Sequence, residues 1–266
     1  MTQTECKVEQ FNGLMDSIAS IETQKAVIYY CNLPNPQRSD ENHDSLLIRR
    51  LDDDALCLAV ADGAGGHRNP AEASSSLLGE IDKTISDASL DTIVQSIEHA
   101  NLHIRNELPH SRSTLMLATI QDNNLRTIHI GDSKLIVIGG RGRLKYETIG
   151  HNLYEICNHC GLNEYIEDSI EVPSNVVTNM IGDLSPRLDV GSSVKLAPND
   201  TVILGSDGLF DNVSVSEICE KTKDLALDEL AAFIHDEAKQ RMSLAAEDEG
   251  AKFKADDMSF IVFKQA

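Results

Sequence analysis

Asp62 and Asp207 each end an apolar run and are each followed by glycine. The first run, 56–61, passes into Asp62-Gly63-Ala64-Gly65-Gly66-His67. The second, 201–205, passes into Ser206-Asp207-Gly208-Leu209-Phe210-Asp211. Two further apolar stretches carry the same kind of mark. One is Ile128-His129-Ile130 before Gly131-Asp132-Ser133; the other is Ser259-Phe260-Ile261-Val262-Phe263 after Asp256-Asp257-Met258. A short buried strand that delivers a carboxylate to its end, then turns on glycine, can hold a hard cation at a sheet edge. Gly63 has no side chain, so its carbonyl can approach such an ion closely. Four acidic marks on four strands imply one polynuclear site built from oxygen ligands. The competing reading is a hairpin, since one Asp-Gly after an apolar run is usually a turn. A turn does not require Gly-x-Gly-Gly-His behind the aspartate, nor a second aspartate, Asp211, four residues after Asp207.

The composition fits a globular chain. Of 266 residues, 41% are hydrophobic but only 4% aromatic, with no Trp, so the core is aliphatic. The net charge, 23 − 43 = −20, excludes a nucleic-acid surface and an anionic membrane as partners. Residues 1–10 are polar, with no apolar core of a secretory signal, and no stretch approaches the roughly 20 apolar residues of a membrane span. With six scattered cysteines, the chain reads as a reduced, cytoplasmic protein. Cys157, Cys160 and the nearby His151 could contribute to a zinc site, but no second cysteine pair completes one.

The elements that must position these aspartates follow from periodicity. Val8, Phe11, Leu14, Met15, Ile18 and Ile21 stand at helical spacing, so residues 1–24 read as a helical extension ahead of a catalytic domain over 25–266. Strands are expected over 26–31, 45–50 and 56–61. A helix follows with Asn69 as cap, Pro70 first and Glu72 completing a capping box, and Ser89 caps the next. Strands over 114–120, 125–130, 134–138 and 144–149 are joined too tightly to be anything but antiparallel neighbours. Residues 151–185 lose the period and read as an inserted flap, with one short helix near 153–160. Strands resume over 194–196 and 201–205. Ser214 and Asp228 then start helices, 243–255 reads as loop, and 259–263 is the last strand. About ten antiparallel strands in two groups, with a helical pair after each, give an α+β chain: two sheets packed together with helices outside, a four-layer αββα sandwich.

Taken in order, residues 60–67 (VADGAGGH), Gly131-Asp132-Ser133, Ser206-Asp207-Gly208-Leu209-Phe210-Asp211 and Asp256-Asp257-Met258-Ser259 resemble the motifs of the metal-dependent protein phosphatase 2C family, in its bacterial form. Asn42-His43-Asp44 resembles its N-terminal Asn-Glu/Gln-Asp motif, and Thr178–Gly182 stands where the family has its Leu-Gly segment. The resemblance covers about residues 25–264. It implies a serine/threonine phosphatase that uses two Mn2+ or Mg2+ ions, with provision for a third. By the resemblance, Asp62 bridges two metals and Gly63 lends its carbonyl. Asp207 and Asp256 complete the first metal, while Asp132, with Asp207 and Asp211, holds the third. Asp44 orients water, and Arg38 binds phosphate. The implied partner is a phosphorylated protein, dephosphorylated in opposition to a serine/threonine kinase by a monomeric enzyme. The chemistry is coherent. Two divalent cations about 3.5–4 Å apart can share and acidify one water in line with phosphorus, and hard cations prefer carboxylates. A guanidinium can grip two phosphate oxygens. Three positions depart from the pattern: His43, a candidate residue of the second metal site, replaces a metal-associated Glu, Ala64 a leaving-group His, and Asp257 an Asn beside the ligand Asp256. A phosphatase-like binding or regulatory module of weak turnover is the alternative reading.

Overall fold

A computed structural model describes residues 7–162, 176–248, 250 and 252–266. In chain order the elements are β1 (Lys7–Phe11), β2 (Ala19–Glu22), β3 (Ala26–Leu33), β4 (Asp44–Arg50), β5 (Leu56–Asp62), α1 (Pro70–Thr84), α2 (Leu90–Glu107), β6 (Leu115–Gln121), β7 (Asn124–Ile130), β8 (Lys134–Gly139), β9 (Arg143–Glu147), α3 (Leu153–His159), β10 (Asp189–Val190), β11 (Val194–Lys195), β12 (Thr201–Gly205), α4 (Asp207–Phe210), α5 (Val215–Lys221), α6 (Leu227–Glu247) and β13 (Met258–Gln265). They form two antiparallel sheets. One runs β1-β4-β5-β6-β7-β10, with β11 also on β7; the other runs β2-β3-β13-β12-β8-β9.

Strand alternation divides the buried side chains among three cores. In β4 and β5, Leu46, Ile48, Leu58 and Val60 point between the sheets, whereas Leu47, Cys57, Ala59 and Ala61 point outward to α1 and α2. In the other sheet, Val202 and Leu204 face inward, while Ile203 faces α5 and α6 with Phe260 and Val262. Both faces of these strands are covered, which explains why 56–61 and 201–205 read as unbroken apolar runs. Burying each Leu, Ile or Val contributes about 1.5–3 kcal/mol.

Several expectations need correction. The described part of the segment before β3, from residue 7 on, is not a helix: β1 pairs with β4 and β2 with β3, so each sheet gains a strand. Val8 packs on the inter-sheet core and Phe11 on the helical layer beyond. Three residues apart, they share a face on a helix but take opposite faces on a strand. Asn69 precedes α1 in the left-handed region and makes no side-chain cap, so the capping box with Glu72 does not form. Ser89 does cap α2, and Ser214 with Glu217 closes a capping box on α5. Ala226, not Asp228, precedes α6, with the Glu229 carboxylate accepting from its N–H. That helix runs on to Glu247, into the stretch read as loop. Of the expected flap, 163–175 lies outside the described residues. On its flanks, Asn152 caps α3, and Ile181 is buried in a bridge with Ser113.

Candidate active site

The register gathers the acidic marks at one end of the sandwich. Asp44 and Asp62 are direct cross-strand partners at the ends of β4 and β5. In the other sheet, Gly205 pairs with both Lys134 and Phe260. Asp207 lies just past β12, Asp132 just before β8 and Asp256 just before β13, so the three share that end. Asp132 sits in the Gly131–Ser133 link where the chain crosses from one sheet to the other. A hydroxyl bridge, Thr114 Oγ1 to Ser133 Oγ at 2.6 Å, ties this link to the neighbouring sheet, and Thr114 Oγ1 also accepts from the Asp62 N–H at 3.1 Å.

The glycines beside the aspartates are required by packing. A Cβ on Gly63 would lie 2.0 Å from the Pro70 carbonyl oxygen at the start of α1. A Cβ on Gly208 would lie 1.9 Å from the Asp257 carbonyl oxygen. Gly131 has φ +97° and its Cβ would meet Thr114 at 2.6 Å. Each glycine therefore lets a carboxylate-bearing turn close against another backbone segment.

The crowding has an electrostatic signature. Burial, then Asp207, Asp44, Asp256 and Asp132, pushes the Asp62 carboxyl well above the usual range. Burial, then Asp257, does the same to Asp44, opposed by the Ser206 hydroxyl that donates to Asp44 Oδ2 at 2.6 Å. Asp132 is pushed up to about 7 by burial and then by Asp207. Asp256 is raised by burial and Asp207. Asp44 Oδ1 and Asp207 Oδ1 are buried without a hydrogen-bond partner. Clustered carboxylates with unused buried oxygens fit hard divalent cations, which take oxygen ligands and offset this repulsion.

Other predicted residues lie around this centre. The Arg38 Nη2 donates to Asp257 Oδ2 at 2.8 Å, and its Nη1 meets the His43 ring. Asp257 is buried and accepts from the Asn35 N–H at 2.7 Å and the His43 N–H at 3.1 Å. The His43 ring makes its contacts with Arg38, Asp257 and Glu41. Asp211, at the C-cap of α4, contributes to the field on Asp132. His67 is exposed, and its N–H closes the glycine turn on the Ala64 carbonyl. His151 stands with His129 and Asp189 rather than with Cys157 and Cys160. Each of the three offers a ligand atom within 4.8 Å of the others. The two rings are stacked at 4.8 Å, and His151 Nε2 meets Asp189 Oδ2 at 3.0 Å. Stacked rings carry their in-plane lone pairs side by side rather than to one point. His151 instead clamps the Asp132 turn: its Nδ1 accepts from the Gly131 N–H and its own N–H donates to the Gly131 carbonyl.

Lys254 escaped the sequence reading. Its ammonium contacts Asp207 and lies 2.7 Å from Asp256 Oδ2 and 3.7 Å from Asp211 Oδ2. Burial would lower its pKa, but Asp207, Asp256 and Asp211 outweigh it and hold the ammonium above its ordinary value. The available signal was a lysine two residues before Asp256 in an otherwise acidic constellation.

Comparisons with known proteins agree. A family profile described as protein phosphatase 2C matches residues 36–247. Protein phosphatase PhpP of Streptococcus pneumoniae serotype 2 is 28% identical over 183 residues, spanning 64% of this chain and 74% of its own. The S. agalactiae serine/threonine phosphatase superposes with a TM-score of 0.71 at 20% identity, over 90% of this chain and 99% of that one. The Mycobacterium tuberculosis serine/threonine phosphatase PstP/Ppp gives 0.69 at 20% identity, over 90% and 98%. The profile covers most of the chain, with Asp44, Asp62, Asp132 and Asp207 inside it, and on that ground the chain belongs to the protein phosphatase 2C family of serine/threonine phosphatases.

Proposed function

We propose that this phosphatase hydrolyses phosphoserine and phosphothreonine monoesters at the acidic end of its sandwich, with Asp62, Gly63, Asp207 and Asp256 as ligands of two Mn2+ or Mg2+ ions and Asp132 and Asp211 as ligands of a third. The carrying observation is that carboxylates from both sheets converge there, where burial first and one another's charge second push Asp62 and Asp132 above the usual carboxylate range. Bound divalent ions would supply Lewis acidity, offsetting the phosphate dianion's charge and acidifying a water. Asp44 has one oxygen fixed by Ser206 and leaves Oδ1 to accept a hydrogen bond from the attacking water. Arg38 is held at the rim by Asp257 and offers its remaining N–H donors to the phosphate oxygens.

A phosphoryl group on serine or threonine is put there by a kinase, so a serine/threonine kinase is the opposing partner. The described cysteines Cys31, Cys57, Cys157, Cys160 and Cys219 are all free, which supports a reducing, cytoplasmic setting. No helix among the described residues is long and apolar enough to cross a membrane. We assign a monomer, to be checked by light scattering. The deciding assay is phosphate release from a phosphothreonine peptide with and without Mn2+ or Mg2+. Release that needs the ion and is lost in Asp62→Asn supports the assignment. No release with either ion favours the weak regulatory module.

A further inference from the structure

Lys254 is built into the acidic centre. Its backbone is fastened on both sides by the buried Asn212: the Lys254 N–H donates to Asn212 Oδ1 at 3.1 Å, and Asn212 Nδ2 donates to the Lys254 carbonyl at 2.9 Å. The preceding Phe253 ring lies under the Arg241 guanidinium at 5.0 Å. The side chain therefore leaves from a fixed point toward Asp207, Asp256 and Asp211. Neighbouring cations are engaged elsewhere: Arg38 with Asp257, and Lys134 with Glu147 and Glu155.

The oxygens that Lys254 engages, Asp207 Oδ2 and Asp256 Oδ2, are those of two proposed metal ligands. An ammonium donating to a carboxylate oxygen and a divalent ion bound to that oxygen at about 2.1 Å need the same space. We propose that Lys254 is a tethered cation that competes with a divalent ion for the Asp207–Asp211–Asp256 side of the site. The inference rests on the ligand reading of Asp207 and Asp256. Its consequence is a loading threshold: the ion that takes Asp207 and Asp256 enters only by displacing the ammonium, which swings toward solvent through the side chain's 36% exposure. Because the competitor is part of the chain, its effective concentration is fixed and cannot be diluted away. The same charge steadies the chain when no ion is bound, by offsetting the clustered carboxylates.

The test is Mn2+ binding to the full-length protein at pH 8, by calorimetry and by the EPR signal of free Mn2+. Lys254→Met and Lys254→Gln should bind one Mn2+, the ion held by Asp207 and Asp256, about tenfold more tightly, the change expected for loss of one charge-assisted contact at a partly exposed site. Lys254→Arg keeps the charge and should bind as the parent does. Both neutral variants should also melt at lower temperature in chelator, and that deficit should close with Mn2+. Unchanged or weaker Mn2+ binding in the neutral variants overturns the proposal. If they do not fold in chelator, they are prepared with Mn2+ and its release into excess EDTA is timed. Slower release than the parent supports competition, and equal or faster release overturns it. Asp207→Asn separates the two layers of inference. If it keeps the parent's Mn2+ stoichiometry, the ligand reading fails and the proposal with it. If it loses an ion while the neutral variants match the parent, the lysine proposal alone fails.

Discussion

Replacing Asp132 by Asn should stabilise the protein in divalent-free buffer at high pH, although the residue is a proposed ligand. Asp132 is 7% exposed, in the link between the sheets. Its carboxyl is moved from 3.8 to about 7, by burial and then by Asp207. A folded-state pKa above the unfolded one means that the folded state binds this proton more tightly. Stability is therefore greatest below the ordinary value and falls as pH rises from about 4 through about 7. The full difference corresponds to at most ~4 kcal/mol at pH 8. Asp207 and Lys254 share the same field, so the amount assignable to Asp132 alone is about 1–3 kcal/mol. The amide has the same shape and no charge. For a chain of this size each kcal/mol moves the melting temperature by about 2–4 °C. Asp132→Asn should thus melt ~3–10 °C higher than the parent at pH 8 and within ~2 °C of it at pH 4, read by circular dichroism in EDTA. An equal increment at both pH values, or a lower melting temperature at pH 8, refutes the view that the acidic end is held together against its own charge. Saturating Mn2+ should erase or reverse the difference, since the parent then gains a ligand that the variant lacks.

Asp62→Asn and Asp207→Asn should each lower phosphate release by about a hundredfold or more while leaving the divalent-free melting temperature equal or higher. Loss of the fold in either would refute its assignment as a ligand. Gly63→Ala should destabilise by about 3 kcal/mol or more, because its Cβ would lie 2.0 Å from the Pro70 carbonyl oxygen and α1 must shift to admit it. A melting temperature within ~2 °C of the parent would contradict the clash. Asp132→Ala should reduce turnover of a phosphothreonine peptide by about 10²-fold more than turnover of an aryl phosphate. Ala64 stands where a proton-donating histidine could, and only the alkoxide leaving group needs that proton. Equal losses on both substrates would mean that the proton does not depend on Asp132.

The acidic end was legible because its signals are local. An apolar run fixes a strand buried on both faces, and Asp-Gly fixes where it stops. Asp62, Asp132, Asp207 and Asp256 could therefore be placed at strand ends without knowing the sheet order. What was not legible depends on neighbours distant in sequence. Val8 and Phe11 satisfy a helical period and a strand equally, and only the open edge of β4 decides between them. Lys254 looks like any surface lysine until Asn212, 42 residues earlier, pins its backbone. Asp257 looked like a lapse from Asn, yet it is a hub for the Asn35 and His43 N–H groups and the Arg38 guanidinium. The sequence offered His43 as a candidate metal residue but could not show that its ring contacts are with Arg38, Asp257 and Glu41. Asn69 had the right residue type for a cap but took a left-handed turn.

The crossing at Gly131–Ser133 has a mechanical meaning. Asp44 and Asp62 belong to one sheet and Asp207 and Asp256 to the other, with Asp132 on the only strap between β7 and β8. An ion shared among them, as proposed, would be a rivet through both plates of the sandwich. Filling the site should slow amide hydrogen exchange at the β5, β8 and β12 ends together, as one unit, while the far hairpin tips at 51–55 and 122–123 keep their own faster opening. Turnover and rigidity would then rise and fall with the same ion.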